Sequence, residues 1–137
     1  MTAVRTAVPS RAAATRSLIG AGVVALALAS GATATVAAAG HAAGISLAVG
    51  GAPIPVTGFA VLTAVCSLVG LVLAAVLASV ARHPRTVFVR CTVALTALSL
   101  VPDVLAAATP GTKMLLMLTH LVAAAIVIPA VARRLSA

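Results

Sequence analysis

Long apolar segments alternate with short links along this chain. Four such segments span about 17–39, 57–81, 88–108 and 113–132. Each is close to the roughly 20 mostly apolar residues that an α-helix needs to cross the hydrocarbon core of a bilayer. None shows the regular alternation of a β-strand, and in lipid a helix satisfies its own backbone hydrogen bonds. The pattern therefore predicts four transmembrane α-helices.

The links predict how these helices are connected. Residues 40–56 contain four glycines and two prolines, which predicts a loop. Its ISLAV stretch would either lie in the membrane interface or fold back as a short hairpin. The links 82–87 and 109–112 are short, so the second, third and fourth helices should be antiparallel neighbours. We therefore predict an antiparallel four-helix bundle, with a basic tail over 1–16 and one membrane domain over 17–135.

The composition agrees with a membrane protein and removes most of the groups that catalysis needs. The chain is 63% hydrophobic and only 7% charged, whereas soluble domains are about 25% charged. It contains no Glu, Asn, Gln, Trp or Tyr. We therefore expect no catalytic residues, no cofactor and no enzyme activity.

The positive charges lie at the ends of the apolar segments. In a four-helix arrangement eight of the nine basic residues fall on one side and Lys113 on the other; the eight are Arg5, Arg11, Arg16, Arg82, Arg85, Arg90, Arg133 and Arg134. Because cytoplasmic loops carry the excess of Lys and Arg, this asymmetry predicts that both termini are cytoplasmic. Charges spread in this way do not form a basic domain, so nucleic acid is not an expected partner.

The N-terminal part of the chain has a second interpretation. A basic start, an apolar run over 17–29 and the small residues of ATATVAAAG resemble a cleavable secretory signal peptide. Cleavage would leave three spans with an exterior N-terminus, against the charge asymmetry. We therefore expect the first helix to be retained.

Small residues recur at intervals of four in the first two segments. The second segment has Cys66, Gly70, Ala74 and Ala78, and the first has Ala27, Gly31, Thr35 and Ala39. Such stripes allow transmembrane helices to approach closely. We expect packing within the chain, with a dimer face as the alternative.

The third segment carries a polar stripe made of Thr92, Thr96, Ser99 and Asp103. Asp103 and His120 lie roughly 8 and 10 Å along their helices from the 109–112 turn, so they should lie level with each other. Three interpretations stay open. The pair is a proton or ion relay, or a structural contact between helices, or Asp103 reaches water with Lys113 as its partner.

The other candidate ligands do not converge. His41 and His83 fall in loops on opposite sides, so no metal site is expected. Cys66 and Cys91 should differ in depth by roughly 18 Å, far beyond the Cα separation of about 7 Å that a disulfide allows. Both are expected to be free, buried thiols.

The order of features from about residue 57 to 135 resembles a known family. The stretch SLVPDVLAAATPGTK followed by LLMLTHLVAAAIVIPAVARRL is similar to an uncharacterised family of small four-helix membrane proteins from actinobacteria, catalogued as a domain of unknown function. The most specific part covers His120, Leu121, Val122, Ile128, Pro129 and Arg133. ISLAVGGAPIPVTGF between the first two helices also looks similar. The resemblance implies architecture and membrane location but no activity.

These observations lead to one functional expectation and one alternative. We expect a structural or accessory protein of the bacterial plasma membrane that acts through helix–helix contacts, in contact with the lipid bilayer and with a second copy or another membrane protein. The alternative is a small transporter or channel component that uses Asp103 and His120. Four helices without a visible internal repeat are few for a complete secondary transporter.

Overall fold

A computed structural model describes residues 10–136 as four long α-helices and one small β-hairpin. The elements in chain order are α1 (Arg11–Ala42), β1 (Ala48–Val49), β2 (Ala52–Pro53), α2 (Val56–Val80), α3 (Pro84–Leu105) and α4 (Pro110–Ala132). All four helices are long and apolar enough to cross a membrane. The prediction of a helical fold with four candidate spans is confirmed for these residues.

The helices begin earlier than their apolar segments suggest. α1 begins at Arg11 rather than near residue 17, because the Ser10 hydroxyl accepts a hydrogen bond from the Ala13 N–H at 3.3 Å. α3 and α4 begin at Pro84 and Pro110, where proline suits the first helical turn. Hydropathy marks the part that crosses hydrocarbon, whereas a helix continues to the nearest cap. Part of the predicted tail is therefore helical; Arg5 lies outside the described residues.

The loop between α1 and α2 folds back as a hairpin, one of the two conformations expected for it. Ala48 pairs with Pro53 and Val49 with Ala52 in antiparallel register. Gly50 and Gly51, at the turn, have φ values of 59° and 82°, which side chains disfavour. The Gly50 N–H donates to Ala107 O at 2.8 Å. The hairpin is therefore attached to the turn between α3 and α4.

The helices pack around two apolar clusters, one toward each end of the bundle. The first contains Leu18, Leu71, Ala74, Phe88, Val131, Ala132 and Leu135, and the second contains Ala37, Leu47, Phe59 and Leu115. We call the end near the first cluster, which carries Arg16, Arg82, Arg85, Arg133 and Arg134, the arginine end; the other is the hairpin end. α1 packs against α2 and α4, whereas α3 packs mainly against α4. α3 is therefore the most peripheral helix.

The buried stripe of α1 differs from the predicted one. Ala27, Gly31, Thr35 and Ala39 are all exposed. The buried residues are Leu18, Gly22, Ala25, Ala29, Thr33, Ala37 and Gly40. Gly22 lies against the side chain of Leu71 on α2, and a Cβ at Gly40 would lie 2.8 Å from Leu115 Cδ1 on α4. The prediction failed because α1 carries small residues on several faces, so spacing alone does not select the packed one.

The predicted stripe of α2 is only partly used within the chain. Ala74 is fully buried, but Cys66 and Ala78 are exposed, and a Cβ at Gly70 would have no atom within 4 Å. The buried face of α2 runs through Phe59, Ser67, Leu71 and Ala74 instead. Within the chain Cys66 and Ala78 therefore pack against no other helix, and the Cys66 thiol is exposed rather than buried as predicted.

Candidate functional site: the Asp103–His120 contact and its cleft

Asp103 and His120 contact each other across the α3–α4 interface. His120 Nδ1 lies 2.8 Å from Asp103 Oδ2, and the side chains are 40% and 10% exposed, respectively. Asp103 lies in the last turns of α3 and His120 near the middle of α4, and the short turn at 106–109 connects the two helices. The chain therefore brings its one acidic side chain against a histidine.

The hydrogen-bond geometry of this contact is incomplete. His120 Nδ1 also lies 3.0 Å from Leu116 O, one turn earlier on α4. Leu116 O accepts hydrogen bonds, and so does the Asp103 carboxylate when it is ionised. The His120 tautomer with its hydrogen on Nδ1 can therefore donate to either oxygen. In this tautomer the His120 N–H is aligned with Leu116 O, and Asp103 Oδ2 is buried without an aligned donor. A close approach without a directed hydrogen bond leaves this oxygen poorly satisfied.

Lys113 interacts with the backbone of α3 rather than with Asp103. Its ammonium donates a hydrogen bond to Val104 O at 2.8 Å. This carbonyl lies in the last turn of α3, where carbonyl groups lack helical partners and a positive charge is favourable. The interpretation in which Lys113 is the partner of Asp103 does not match this geometry.

The hydroxyl groups of the polar stripe form hydrogen bonds within their own helix. Thr92 donates to Phe88 O at 2.7 Å, Thr96 to Thr92 O at 2.8 Å, and Ser99 to Thr96 O at 2.7 Å. These bonds leave each hydroxyl oxygen with further capacity to accept. The stripe is therefore internally satisfied and still presents polar atoms on one face of α3.

That face of α3 lines a cleft of about 330 Å³. We call it the α2–α3–α4 cleft; its walls include Cys66, Ser67, Val69 and Gly70 from α2, Phe88, Thr92, Thr96 and Ser99 from α3, and His120, Ala123 and Ala124 from α4. Asp103 is not part of its lining. His120 therefore has one edge on the carboxylate and another on the cleft.

The arginines expected to set the topology are all exposed: Arg82, Arg85, Arg90, Arg133 and Arg134. Arg134 Nη1 donates to Ser17 Oγ at 3.2 Å, and the Arg85 backbone N–H donates to Ser136 O at 3.3 Å. These contacts join the start of α1, the start of α3 and the C-terminal segment at the arginine end.

Two polar contacts between elements were not expected from the sequence. The hydroxyls of Thr33 on α1 and Thr63 on α2 lie 2.9 Å apart. The Thr112 hydroxyl donates to Ser46 O and so attaches α4 to the loop before β1. The sequence offers only a weak indication of these two contacts, because threonine in a helix usually donates a hydrogen bond to a carbonyl of its own helix.

The described residues contain no group of three His, Cys, Asp or Glu side chains placed to hold a metal ion. Cys66 and Cys91 are both free thiols. His41 lies in the last turn of α1 rather than in the predicted loop, because the helix continues to Ala42. His83 lies just before α3, in the link where it was predicted.

Comparison with known proteins defines a family without assigning a role. Residues 13–137 match the family described as "Family of unknown function (DUF6069)". No curated protein and no solved structure matches the chain. The match includes the hairpin, α2, α3, α4 and nearly all of α1. The chain therefore belongs to this family of unknown function.

Proposed function

We propose that this chain is a multi-pass accessory protein, without enzyme activity, that binds a transmembrane helix of another membrane protein in the α2–α3–α4 cleft. The observation that carries the proposal is the lining of the cleft. Gly70, Ala123 and Ala124 permit close backbone approach, and the hydroxyls of Thr92 and Thr96 offer acceptors. Lipid provides no hydrophobic drive between helices, so small residues and polar contacts are what bind one helix to another.

The unused part of the α2 stripe supports the same occupant. Cys66 and Gly70 do not pack against α1, yet both line the cleft. Nearby Val69 is 64% exposed. A partner helix on this face would cover the exposed Cys66 and fill the open space beside Gly70.

The proposed location is the plasma membrane of a bacterium, with both termini in the cytoplasm and neighbouring helices antiparallel. The charge asymmetry supports the orientation. Contacts between helices support the antiparallel arrangement, because the residue number falls along one helix as it rises along the other. These contacts are Gly22 with Leu71 and Thr33 with Thr63 between α1 and α2, and Ser17 with Arg134 and Gly40 with Leu115 between α1 and α4. An actinobacterial source rests on the sequence resemblance.

A photo-crosslinking amino acid in the cleft tests the proposal in native membranes. We place it at Val69, and at Val72 as the control, which is 56% exposed but does not line the cleft. Val69 should give a discrete cross-linked protein and Val72 should give none. Gly70→Leu should abolish the product, because Gly70 has space for a side chain that would fill the cleft.

Differently tagged copies in the same cells identify the occupant. A cross-link between the two tags would show that the occupant of the cleft is a second copy of this chain rather than another protein. Equal products at Val69 and Val72, or a product at Val69 that survives Gly70→Leu, would refute binding in the cleft.

A transport function is the second candidate, and one observation favours it. Asp103 Oδ2 is buried without an aligned donor beside a titratable ring that borders the cleft. Ionisable groups inside a membrane often mark proton or ion paths. Proton flux in proteoliposomes should then fall with Asp103→Asn and with His120→Ala. Absence of flux, or flux that neither substitution changes, would remove this candidate.

A further inference from the structure

A second groove, distinct from the α2–α3–α4 cleft, runs between α1 and α4 toward the arginine end. Its volume is about 780 Å³, and it is open to the surface. Apolar and small residues form its walls: Gly20, Ala21, Val24, Ala25 and Leu28 from α1, and Ala125, Ile126, Pro129 and Ala130 from α4. Arg133 and Arg134 complete the lining. The groove is therefore apolar along its length and basic at one end.

No acidic side chain of this chain neutralises the two guanidinium groups. The sequence contains one acidic residue, Asp103, which contacts His120. His120 is roughly 20 Å along α4 from Arg133, given the helical rise per residue. Both arginines are exposed, and Arg134 donates a hydrogen bond to Ser17 Oγ on α1. Two adjacent guanidiniums beside an apolar groove fit an anion that carries its own apolar chains.

We propose that this groove binds one anionic phospholipid. Its phosphate would accept hydrogen bonds from Arg133 and Arg134, and an acyl chain would lie along Val24, Leu28 and Ile126. Guanidinium groups bind phosphate oxygens in bidentate fashion, and basic pockets between transmembrane helices bind anionic headgroups. A zwitterionic lipid fits less well, because its ammonium group would lie near two positive charges.

Gly20 provides the space that an acyl chain needs. A Cβ at Gly20 would have no atom within 4 Å, whereas one at Gly22, two residues later, would meet the Leu71 side chain. Gly22 serves the contact with α2, and Gly20 opens onto the groove. Gly31 also has open space but does not line the groove, so it provides a matched control.

Native mass spectrometry of the full chain in detergent tests the proposal. The protein is titrated with dioleoyl-phosphatidylglycerol and separately with dioleoyl-phosphatidylcholine, and the affinity for the first bound lipid is measured. We expect tighter binding of phosphatidylglycerol. Arg133→Gln with Arg134→Gln should weaken it roughly 30-fold, because both guanidiniums of the groove donate charge-assisted hydrogen bonds to the phosphate and each contributes about fivefold in affinity. Arg82→Gln with Arg85→Gln removes equal charge outside the groove and no contact with the phosphate, so it should change the affinity less than about twofold.

A second pair of variants tests the groove without changing charge. Gly20→Leu should weaken binding of the first phosphatidylglycerol, and Gly31→Leu should leave it unchanged. Equal losses in the two arginine pairs would show general attraction to a basic surface and overturn the proposal. Equal affinity for the two lipids, or full binding by Gly20→Leu, would also overturn it.

Discussion

Asp103 Oδ2 on α3 and His120 Nδ1 on α4 lie 2.8 Å apart in a chain that has no other acidic side chain. The contact joins the most peripheral helix to the rest of the bundle. Its histidine borders the α2–α3–α4 cleft and its carboxylate does not. Whether the contact stabilises the bundle can be measured apart from any transport role.

A double-mutant cycle measures the coupling between the two side chains. Asp103→Asn and His120→Ala should each destabilise the protein, and the coupling free energy should be about 0.6–1.7 kcal/mol, as for polar contacts between membrane helices. Unfolding in mixed micelles provides the measurement. The same cycle with Asp103→Asn and Lys113→Met should show little coupling, because Lys113 donates to Val104 O. Strictly additive effects of Asp103→Asn and His120→Ala would contradict a stabilising contact.

The hydroxyl contact between Thr33 and Thr63 should stabilise the α1–α2 interface. Thr33→Val and Thr63→Val keep the side-chain shape and remove the hydroxyl, so each should cost about 0.6–1.7 kcal/mol in the free energy of unfolding. The double variant should be little worse than either single one. Thr35→Val is the control, because Thr35 is exposed and bonds Gly31 O of its own helix. A loss in the control as large as in Thr33→Val would refute the special role of the contact.

A larger side chain at Gly22 should destabilise the protein, unlike one at Gly31 on the same helix. Gly22→Val places new atoms against Leu71 and should destabilise the protein by about 1–3 kcal/mol, the usual cost of overpacking. Gly31→Val meets open space and should be close to neutral. Thermal stability in detergent distinguishes the two variants. Similar melting temperatures for both would show that α1 and α2 do not approach each other at Gly22.

The proposed orientation predicts which ends of the bundle are accessible from outside the cell. In a background of Cys66→Ala and Cys91→Ala, Ala52→Cys in the hairpin should react with a membrane-impermeant thiol reagent in intact cells. Ser136→Cys should react only after the membrane is opened. A reporter fused after Ala137 should read as cytoplasmic. Labelling of Ser136→Cys in intact cells would reverse the proposed topology.

The number of helices was predictable from the sequence, whereas their contacting faces were not. Four apolar segments are a strong signal, because a bilayer demands long runs of apolar residues. Helix ends depended on local caps such as Ser10 Oγ, which lie outside those runs. The packed face of α1 was misassigned because alanine, glycine and threonine occur on most of its faces. Small residues permit close approach without specifying which neighbour uses it.

The candidate site was likewise predictable from the sequence only in part. The level placement of Asp103 and His120 was inferred from helical rise on either side of a short turn, and the role of their contact stays a prediction. The bond between Thr33 and Thr63 was missed because many threonines in the chain bond their own helix instead, as Thr35 and Thr92 do. The alignment of the His120 N–H with Leu116 O rather than Asp103 depends on a ring orientation that no sequence pattern records.

α3 is held at both ends and only loosely supported between them. At the arginine end the Arg85 N–H bonds Ser136 O, and at the hairpin end Lys113 bonds Val104 O while Gly50 bonds Ala107 O. A helix that is fixed at both ends can bend in the middle but cannot move away from the bundle as a unit. A guest in the α2–α3–α4 cleft would therefore displace the middle of α3, near Thr96, while both helix ends keep their positions. This constraint limits how far the cleft can widen, so it favours a partner helix with small side chains on the face that enters the cleft.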